Sequence, residues 1–350
     1  MALVVGLLAG SLPPQAFWWA QLVAIALPYL AWAATGLALV ALLIRWNAMA
    51  AVTLLLVGVV VLRAWPGSVH APADGDLVLT TFNVPQTQPR DALGDSSVAF
   101  ARRTAPALIA MQDTWVYPGG NESDQATQAR AVALAGDYRI VTPDRLAPRT
   151  GWQRNGMGTP LLVRTAGRDT ITVLDQEEIV LASETDASLA LRTRFSWQGR
   201  EAVLYNVHLR SFGEPKPWRD TTVNLQHPSS WKPYLARYRT VFARRGSETE
   251  ALAQRIEAEA LPVIVVGDFN STADNWSVRR LLRARQGTPF VDAYREAGGW
   301  RWGRTYHARD PLVRIDFVLV DPDAFEVAAA RTHAVGFSDH RPVEVHLRWR

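Results

Sequence analysis

Four short stretches bring together residue types that can do chemistry. Gly267-Asp268-Phe269-Asn270 follows residues 262–266, an apolar run that reads as a buried strand. Asp268 and Asn270 lie two apart, so on an extended chain both project to the same side. A carboxylate beside an amide carbonyl gives a hard divalent cation the oxygen ligands it prefers, and the amide can also orient a nucleophile. Ser338-Asp339-His340 precedes the last strand, Arg314-Ile315-Asp316 lies in an otherwise apolar one, and Tyr205-Asn206-Val207-His208 closes a third. An aspartate inside a buried strand needs a partner, and a histidine that must be held in one orientation supplies it. Taken singly, each stretch has an ordinary explanation, since a strand-ending aspartate also forms turns and caps helices.

The elements that must position these residues alternate between short β-like runs and amphipathic windows. Residues 77–83 read as a strand ending on Asn83, and residues 99–108 can be helical before a buried strand, 108–112, that stops at Asp113. Residues 161–163 and 171–174 are short strands; residues 189–195 and 202–208 flank Gln198-Gly199, a hairpin signal. A helix is predicted over 247–260, with Ser247 as cap and Glu250 three residues on, and strands over 314–320 and 342–349. The polar residues of interest fall at strand C-ends, where open sheets tend to bind ligands. Hairpins mixed with helices suit two stacked sheets with outer helices better than a doubly wound sheet. Residues 211–245 carry Pro215, Pro217, Pro228 and Pro233 among Trp218, Trp231, Tyr234 and Tyr238, and read as one long irregular segment. It could stack on bases, lie on a bilayer or simply pack as a loop. Arg210 could clamp a phosphate, and His346 is expected to face solvent.

The chain falls into two unlike parts. Between Met1 and Leu62 only Arg45 is charged, although 20% of all residues are. Residues 16–44 form an uncharged stretch longer than the ~20 residues that cross a bilayer, with Pro28 in its middle. Residues 48–62 are a second apolar run, bordered by Trp46 and Trp65, and Trp18-Trp19 mark another interfacial edge. Residues 1–12 are a third run, too short to span comfortably and closed by Pro13-Pro14. A signal peptide would carry a basic start and would not be followed by further apolar segments. The reading is a transmembrane region over 1–65 with two to three helices, a linker over 66–76 and a soluble domain over 77–350. Arg45 in the short turn between the two longer spans places that turn in the cytoplasm, which puts the domain outside it. Cysteine is absent, which excludes thiolate metal sites and a cysteine nucleophile. The net charge of +4 is too small to argue for nucleic acid.

Taken in order, these residues resemble the endonuclease/exonuclease/phosphatase superfamily, which includes pancreatic deoxyribonuclease, abasic-site endonucleases, neutral sphingomyelinases and inositol polyphosphate 5-phosphatases. The resemblance covers about residues 77–350: Asn83 on the first strand, Gln112-Asp113, His208, the motif GDFN at 267–270, Asp316, and SDH at 338–340. It implies a four-layer α/β sandwich of two mixed sheets flanked by helices, and Mg²⁺- or Mn²⁺-dependent cleavage of a phosphoester. Carried over, Asn83, Asp113 and Asp339 would hold the metal. Asp268 and Asn270 would sit at the nucleophilic water and the scissile phosphate, Asp316 would orient His340 as acid/base, and His208 would stabilise the transition state. In the same family His307 would edge the cleft. One departure stands out: the family has Glu where this chain has Asp113, one methylene shorter. The expected partners are a phosphoester substrate and the lipid bilayer, with nucleic acid as an alternative and no protein partner. An anchored nuclease and a non-catalytic binding protein that keeps the fold are the competing readings.

Overall fold

The computed structural model describes residues 1–68, 71–84, 96–116, 128–135, 137–141, 143, 157–166, 171–181, 188–213, 216–217, 220, 223–224 and 226–350. Pro215 and Trp218 from the sequence reading lie outside the described residues.

Two mixed six-stranded sheets stack face to face. The first contains β1 (Leu77–Asn83), β2 (Leu108–Gln112), β3 (Tyr138–Val141), β4 (Leu161–Arg164), β11 (Phe325–Thr332) and β12 (Val343–Trp349), in the order β11-β12-β1-β2-β4-β3. The second contains β5 (Thr172–Val180), β6 (Leu189–Trp197), β7 (Arg200–His208), β8 (Val263–Asp268), β9 (Val291–Asp292) and β10 (Asp316–Val320), in the order β5-β6-β7-β8-β10-β9. Helices α4 (Ser97–Thr104) and α5 (Gln128–Ala135) cover the first sheet, while α6 (Pro228–Glu257) and α7 (Trp276–Leu282) cover the second. Between β6 and β7 the turn residues Gln198 and Gly199 have φ of 53° and 76°. Two successive positive φ values match the twist of the strands they join, which is the hairpin that Gln-Gly signalled.

The period-two alternation of strands sorts the side chains of the second sheet. Leu204 on β7, Ile264 and Val266 on β8, and Val318 and Val320 on β10 enter the core between the sheets. Tyr205, Val207, Val263, Val265, Phe317 and Leu319 face α6 and α7 instead. The β-branched run of β8 is buried on both faces, as a central strand requires. Counting by twos along each strand, His208, Asp268 and Asp316 are the end members of the inter-sheet set. They are also neighbours, because His208 pairs with Asp268 and Asp268 with Asp316 across the ladders. The apolar core therefore ends in polar residues at one edge.

Three sequence expectations change. Helix α6 starts at Pro228, not Ser247, so much of the segment expected to be irregular is helical. Ser247 lies mid-helix, its hydroxyl donating to the Ala243 carbonyl at 3.3 Å. Its buried residues Tyr234, Val241, Phe242, Thr249, Leu252, Ala253 and Ile256 keep helical spacing. Arg314 precedes its strand, since β10 opens at Asp316. His346 is half-buried and bonded to Glu344 at 3.0 Å rather than solvent-facing.

The N-terminal part forms α1 (Ala2–Leu8), a short 3₁₀ turn, α2 (Pro14–Leu43) and α3 (Asn47–Ala64). Two of these, α2 and α3, are long and apolar enough to cross a membrane. They differ from core helices in what they expose: Trp32, Leu37, Leu43, Leu55 and Leu62 are all open to the surroundings. The start of α2 rests on the domain with Pro14 and Gln15 against Gly246 and with Gln21 on α7. Gln21 is buried; its amide donates to the carbonyls of Ala9 and Leu12, both at 3.0 Å, and its Oε1 accepts from the Trp276 amide at 2.9 Å. Farther along, the Tyr29 hydroxyl donates to the Leu312 carbonyl at 2.5 Å. At the end of α3, the Arg301 amide donates to the Ala64 carbonyl at 3.2 Å and Arg295 Nε to the Trp65 carbonyl at 3.0 Å.

Candidate active site

At the polar edge of the inter-sheet core, the buried carboxylate of Asp268 is the centre of a network. Asn83, arriving from the other sheet, donates its Nδ2 to Asp268 Oδ2 at 2.8 Å. The Asn270 backbone amide donates to Oδ1 at 2.8 Å, and its side-chain Nδ2 reaches Oδ2 at 3.2 Å and the Leu209 carbonyl at 2.9 Å. His208 Nε2 and His340 Nε2 each stand 3.8 Å from Asp268 Oδ2. Opposite, both oxygens of Asp316 lie 3.0 Å from His340 Nδ1. A carboxylate can only accept, so Nδ1 carries a proton there and Nε2 is the nitrogen turned toward Asp268.

The backbone at this edge is specialised. Gly267 has φ of 136°, and a Cβ there would fall 1.9 Å from the Val207 carbonyl oxygen, so no other residue fits between the parallel strands. Asp113 and Asn270 have left-handed φ of 59° and 48°, which short Asx side chains accept better than most. Ser338 locks the loop before β12 onto the end of β1: its hydroxyl donates to the Asn83 carbonyl at 2.7 Å and accepts from the His340 amide at 3.0 Å. The Thr305 hydroxyl accepts from the Ile315 amide at 3.1 Å and so braces the approach to Asp316. The Tyr306 ring packs 5.0 Å from the His340 ring. Ser338 is visible within its motif; nothing in the sequence singles out Thr305.

The charges at this edge do not balance. Burial lowers the pKa of His340, but Asp316 and Asp268 raise it further, to about 10, so the imidazole is held protonated. Burial pushes the Asp268 carboxyl up, against the opposing pull of the two histidines, and Asp316 adds to the rise. Asp113 is raised too, first by burial and then by the charges of Asp268 and Asp339, with His208 and His340 opposing. All eight residues of the sequence reading thus gather at one edge, six by contact or close approach, and Asp113 and Asp339 through their charges. His227, His333 and His346 stand apart: the first is at the start of α6 and the others bond Glu344. Arg210 is turned toward Glu248, its Nε 3.7 Å from Oε1, and its carbonyl is held at 2.8 Å by Nε of the fully buried Arg245. That second arginine also reaches the Ser271 hydroxyl, tying the end of β7 to the loop after Asn270.

An endonuclease/exonuclease/phosphatase from Bacteroides vulgatus has a TM-score of 0.53 and 19% identity to this chain, covering 79% of it and 99% of its own length. The human Nocturnin catalytic domain with bound sulfate gives 0.51 at 14%, covering 80% and 97%. A mannosyl-6-phosphatase from Bacteroides thetaiotaomicron gives 0.50 at 15%, covering 78% and 99%. At these identities the likeness is one of fold. No curated protein matches the chain. A family model matches residues 80–340, from β1 through His340, and with it the chain belongs to the Endonuclease/Exonuclease/phosphatase family, whose members are hydrolases of phosphoester bonds.

Proposed function

We propose that the protein is a membrane-anchored, divalent-metal-dependent phosphoesterase that uses water to cleave a phosphoester carried close to the bilayer. The observation that supports this reading best is the meeting of Asn83, Asn270, His208 and His340 around the Asp268 carboxylate.

Asn83, Asp113 and Asp339 are the residues that would hold the cation. The donor set is one amide and two carboxylates, all hard oxygens, and suits Mg²⁺ or Mn²⁺. The fit rests on charge: Asp113 and Asp268 are both pushed up, and a nearby dication is the partner that reverses this. Asp268, Asp316 and His340 also offer ligand atoms within 4.8 Å of one another, but the His340 Nδ1 proton already occupies both oxygens of Asp316. A bound cation supplies neutralisation of phosphate charge and more acidic water. Asp268 accepts a proton from the attacking water, with Asn270 holding its carboxylate in place. His340, aligned and kept protonated by Asp316, donates from Nε2 to the phosphoryl or leaving oxygen. His208 donates from the flank to the charge that develops.

The exposed apolar surfaces of α2 and α3 enter the bilayer, with the turn at Arg45 cytoplasmic and the domain outside. Two loops that follow site residues rest on α2. In the loop after Asn270, Asn275 Nδ2 donates to the Gln21 carbonyl at 2.9 Å, and in the loop carrying Tyr306 the Leu312 carbonyl accepts from the Tyr29 hydroxyl. This supports a membrane-borne or membrane-proximal substrate over long nucleic acid. The test is hydrolysis by the full chain in nanodiscs, with Mg²⁺ or Mn²⁺, against a generic bis-ester, phospholipids and plasmid DNA. Metal-dependent turnover of the first two, lost in Asp268→Asn, is expected. Plasmid cleavage alone would move the assignment to a nuclease, and no turnover above Asp268→Asn on any substrate would end it.

A further inference from the structure

A cavity of about 230 Å³ opens between α7 and the short helix α8 (Ala293–Glu296), away from Asp268. Its walls carry Arg279, Arg283, Arg295 and Arg301. Their carboxylate partners are already engaged or scarce. Asp274 lies 3.0 Å from Arg301, and Asp292 is held by both Nη atoms of Arg314. Among the described residues, Arg279 and Arg283 form no ion pair, and on the cavity wall only Glu296, which is exposed, is an uncommitted acid. Arg301 is nearly buried and its Nε has no hydrogen-bond partner. Burial, then the charges of Arg301, Arg63 and Arg283, pull Arg279 down to about 10, so these cations repel one another.

Gathering like charges around a partly buried cavity is costly unless an anion joins them. The planar guanidinium fork matches phosphate oxygens in pairs. The location adds the second half of the argument. Arg63 is in the last turn of α3, the Ala64 carbonyl accepts from the Arg301 amide, and Trp65 packs against Trp300 at the same level. Aromatic rings and arginines at the end of a membrane-length helix mark the headgroup layer.

We infer that this cavity binds a phosphate group, that of an anionic phospholipid headgroup or a free phosphate, and is separate from the catalytic edge. Binding there would tie α7 to α8, because arginines from both line the cavity. The site needs nothing from the hydrolytic reading, so its test does not use turnover.

The experiment is thermal unfolding of the full chain in dodecyl maltoside, titrated separately with dioctanoyl phosphatidylglycerol, dioctanoyl phosphatidylcholine and inorganic phosphate. A saturable rise with phosphatidylglycerol, absent with phosphatidylcholine, assigns the site to an anionic lipid. An equal rise with inorganic phosphate assigns it to the free anion. Arg279→Gln with Arg283→Gln should weaken the interaction by about tenfold or more, two charge-assisted contacts being lost. Arg279 packs on Gly10, so that pair could disturb folding; Arg283→Glu, at an exposed position, should weaken it in the same direction without that risk. Asp268→Asn should keep the full rise, separating this cavity from the active edge. No rise in any arm, or an unchanged rise in Arg283→Glu together with the double variant, would overturn the inference.

Discussion

Two clusters in this molecule are built from the same residue types with opposite charge balance. At the strand ends, His340 and His208 face Asp268, Asp316, Asp113 and Asp339, so carboxylates outnumber the cations that could pair with them. On the first sheet, the single buried carboxylate of Glu344 faces three donors: Arg331 Nε at 2.8 Å, His333 at 3.1 Å and His346 at 3.0 Å. Burial alone would raise Glu344, but the bonds from His333, His346 and Arg331 bring it well below the usual carboxylate range. Asp268 and Asp113 move the other way. A cluster that satisfies its own acid serves stability; one with surplus acid is poised for a cation and a proton transfer.

The largest test of this contrast is Asp268→Asn. Removing the general base should lower turnover by about 10²–10⁴-fold. Because burial disfavours the charged form at 268, the neutral amide should leave the unfolding temperature within a few degrees of wild type. A large loss of stability with activity intact would make the strand-end cluster structural and erase the comparison. Asp316→Asn is the next step down. Its neutral amide no longer favours the protonated histidine, so His340 loses part of its elevated pKa. The alkaline limb of the rate profile should move to lower pH, while substrate KM changes little. A uniform loss across pH would instead mark Asp316 as packing.

Glu344→Gln should do the reverse of Asp268→Asn. The buried donors lose their shared acceptor, and stability should fall by about 2–3 kcal/mol with kcat unchanged. The folded-state pKa is depressed, so the carboxylate's contribution is complete above its unfolded value of about 4.5 and drains away as pH falls. The gap between wild type and variant should therefore narrow between about pH 5 and pH 3, seen by chemical denaturation at each pH. A gap that widens toward acid would show that Glu344 is not the group being titrated.

How much of this could be read from the sequence depends on which forces acted over short range. The strand-end residues were legible because alternation fixes their side and an apolar run fixes their burial; the hairpin at Gln198-Gly199 was legible from turn chemistry. Helix α6 escapes a local reading because Pro228 and Pro233 are also loop signals. Pro228 sits at the first helical position, where its missing amide costs nothing, and Pro233 gives up one bond against the burial of Tyr234, Val241 and Phe242. Gln21 is a lone amide inside an apolar run, which is itself a signal of polar contact. Thr305 and the arginine cavity depend on contacts between distant segments, and no local pattern announces them.

The smallest expected effect concerns Asp113, where the resemblance implies a glutamate. Asp113 follows β2 with φ of 59°, a conformation that aspartate tolerates better than glutamate. Asp113→Glu adds one methylene and brings its carboxylate closer to a cluster already short of positive charge. Two consequences follow from the same cause. Without divalent cation the variant should unfold at a slightly lower temperature than wild type, since repulsion rises. With Mg²⁺ the longer ligand should reach farther, and the concentration for half-maximal thermal stabilisation should fall by roughly a few-fold, a difference of about 1 kcal/mol. If half-saturation moves upward instead, the left-handed backbone at 113 has set the cluster to the shorter side chain. The charge surplus would then be smaller than the contrast with Glu344 requires.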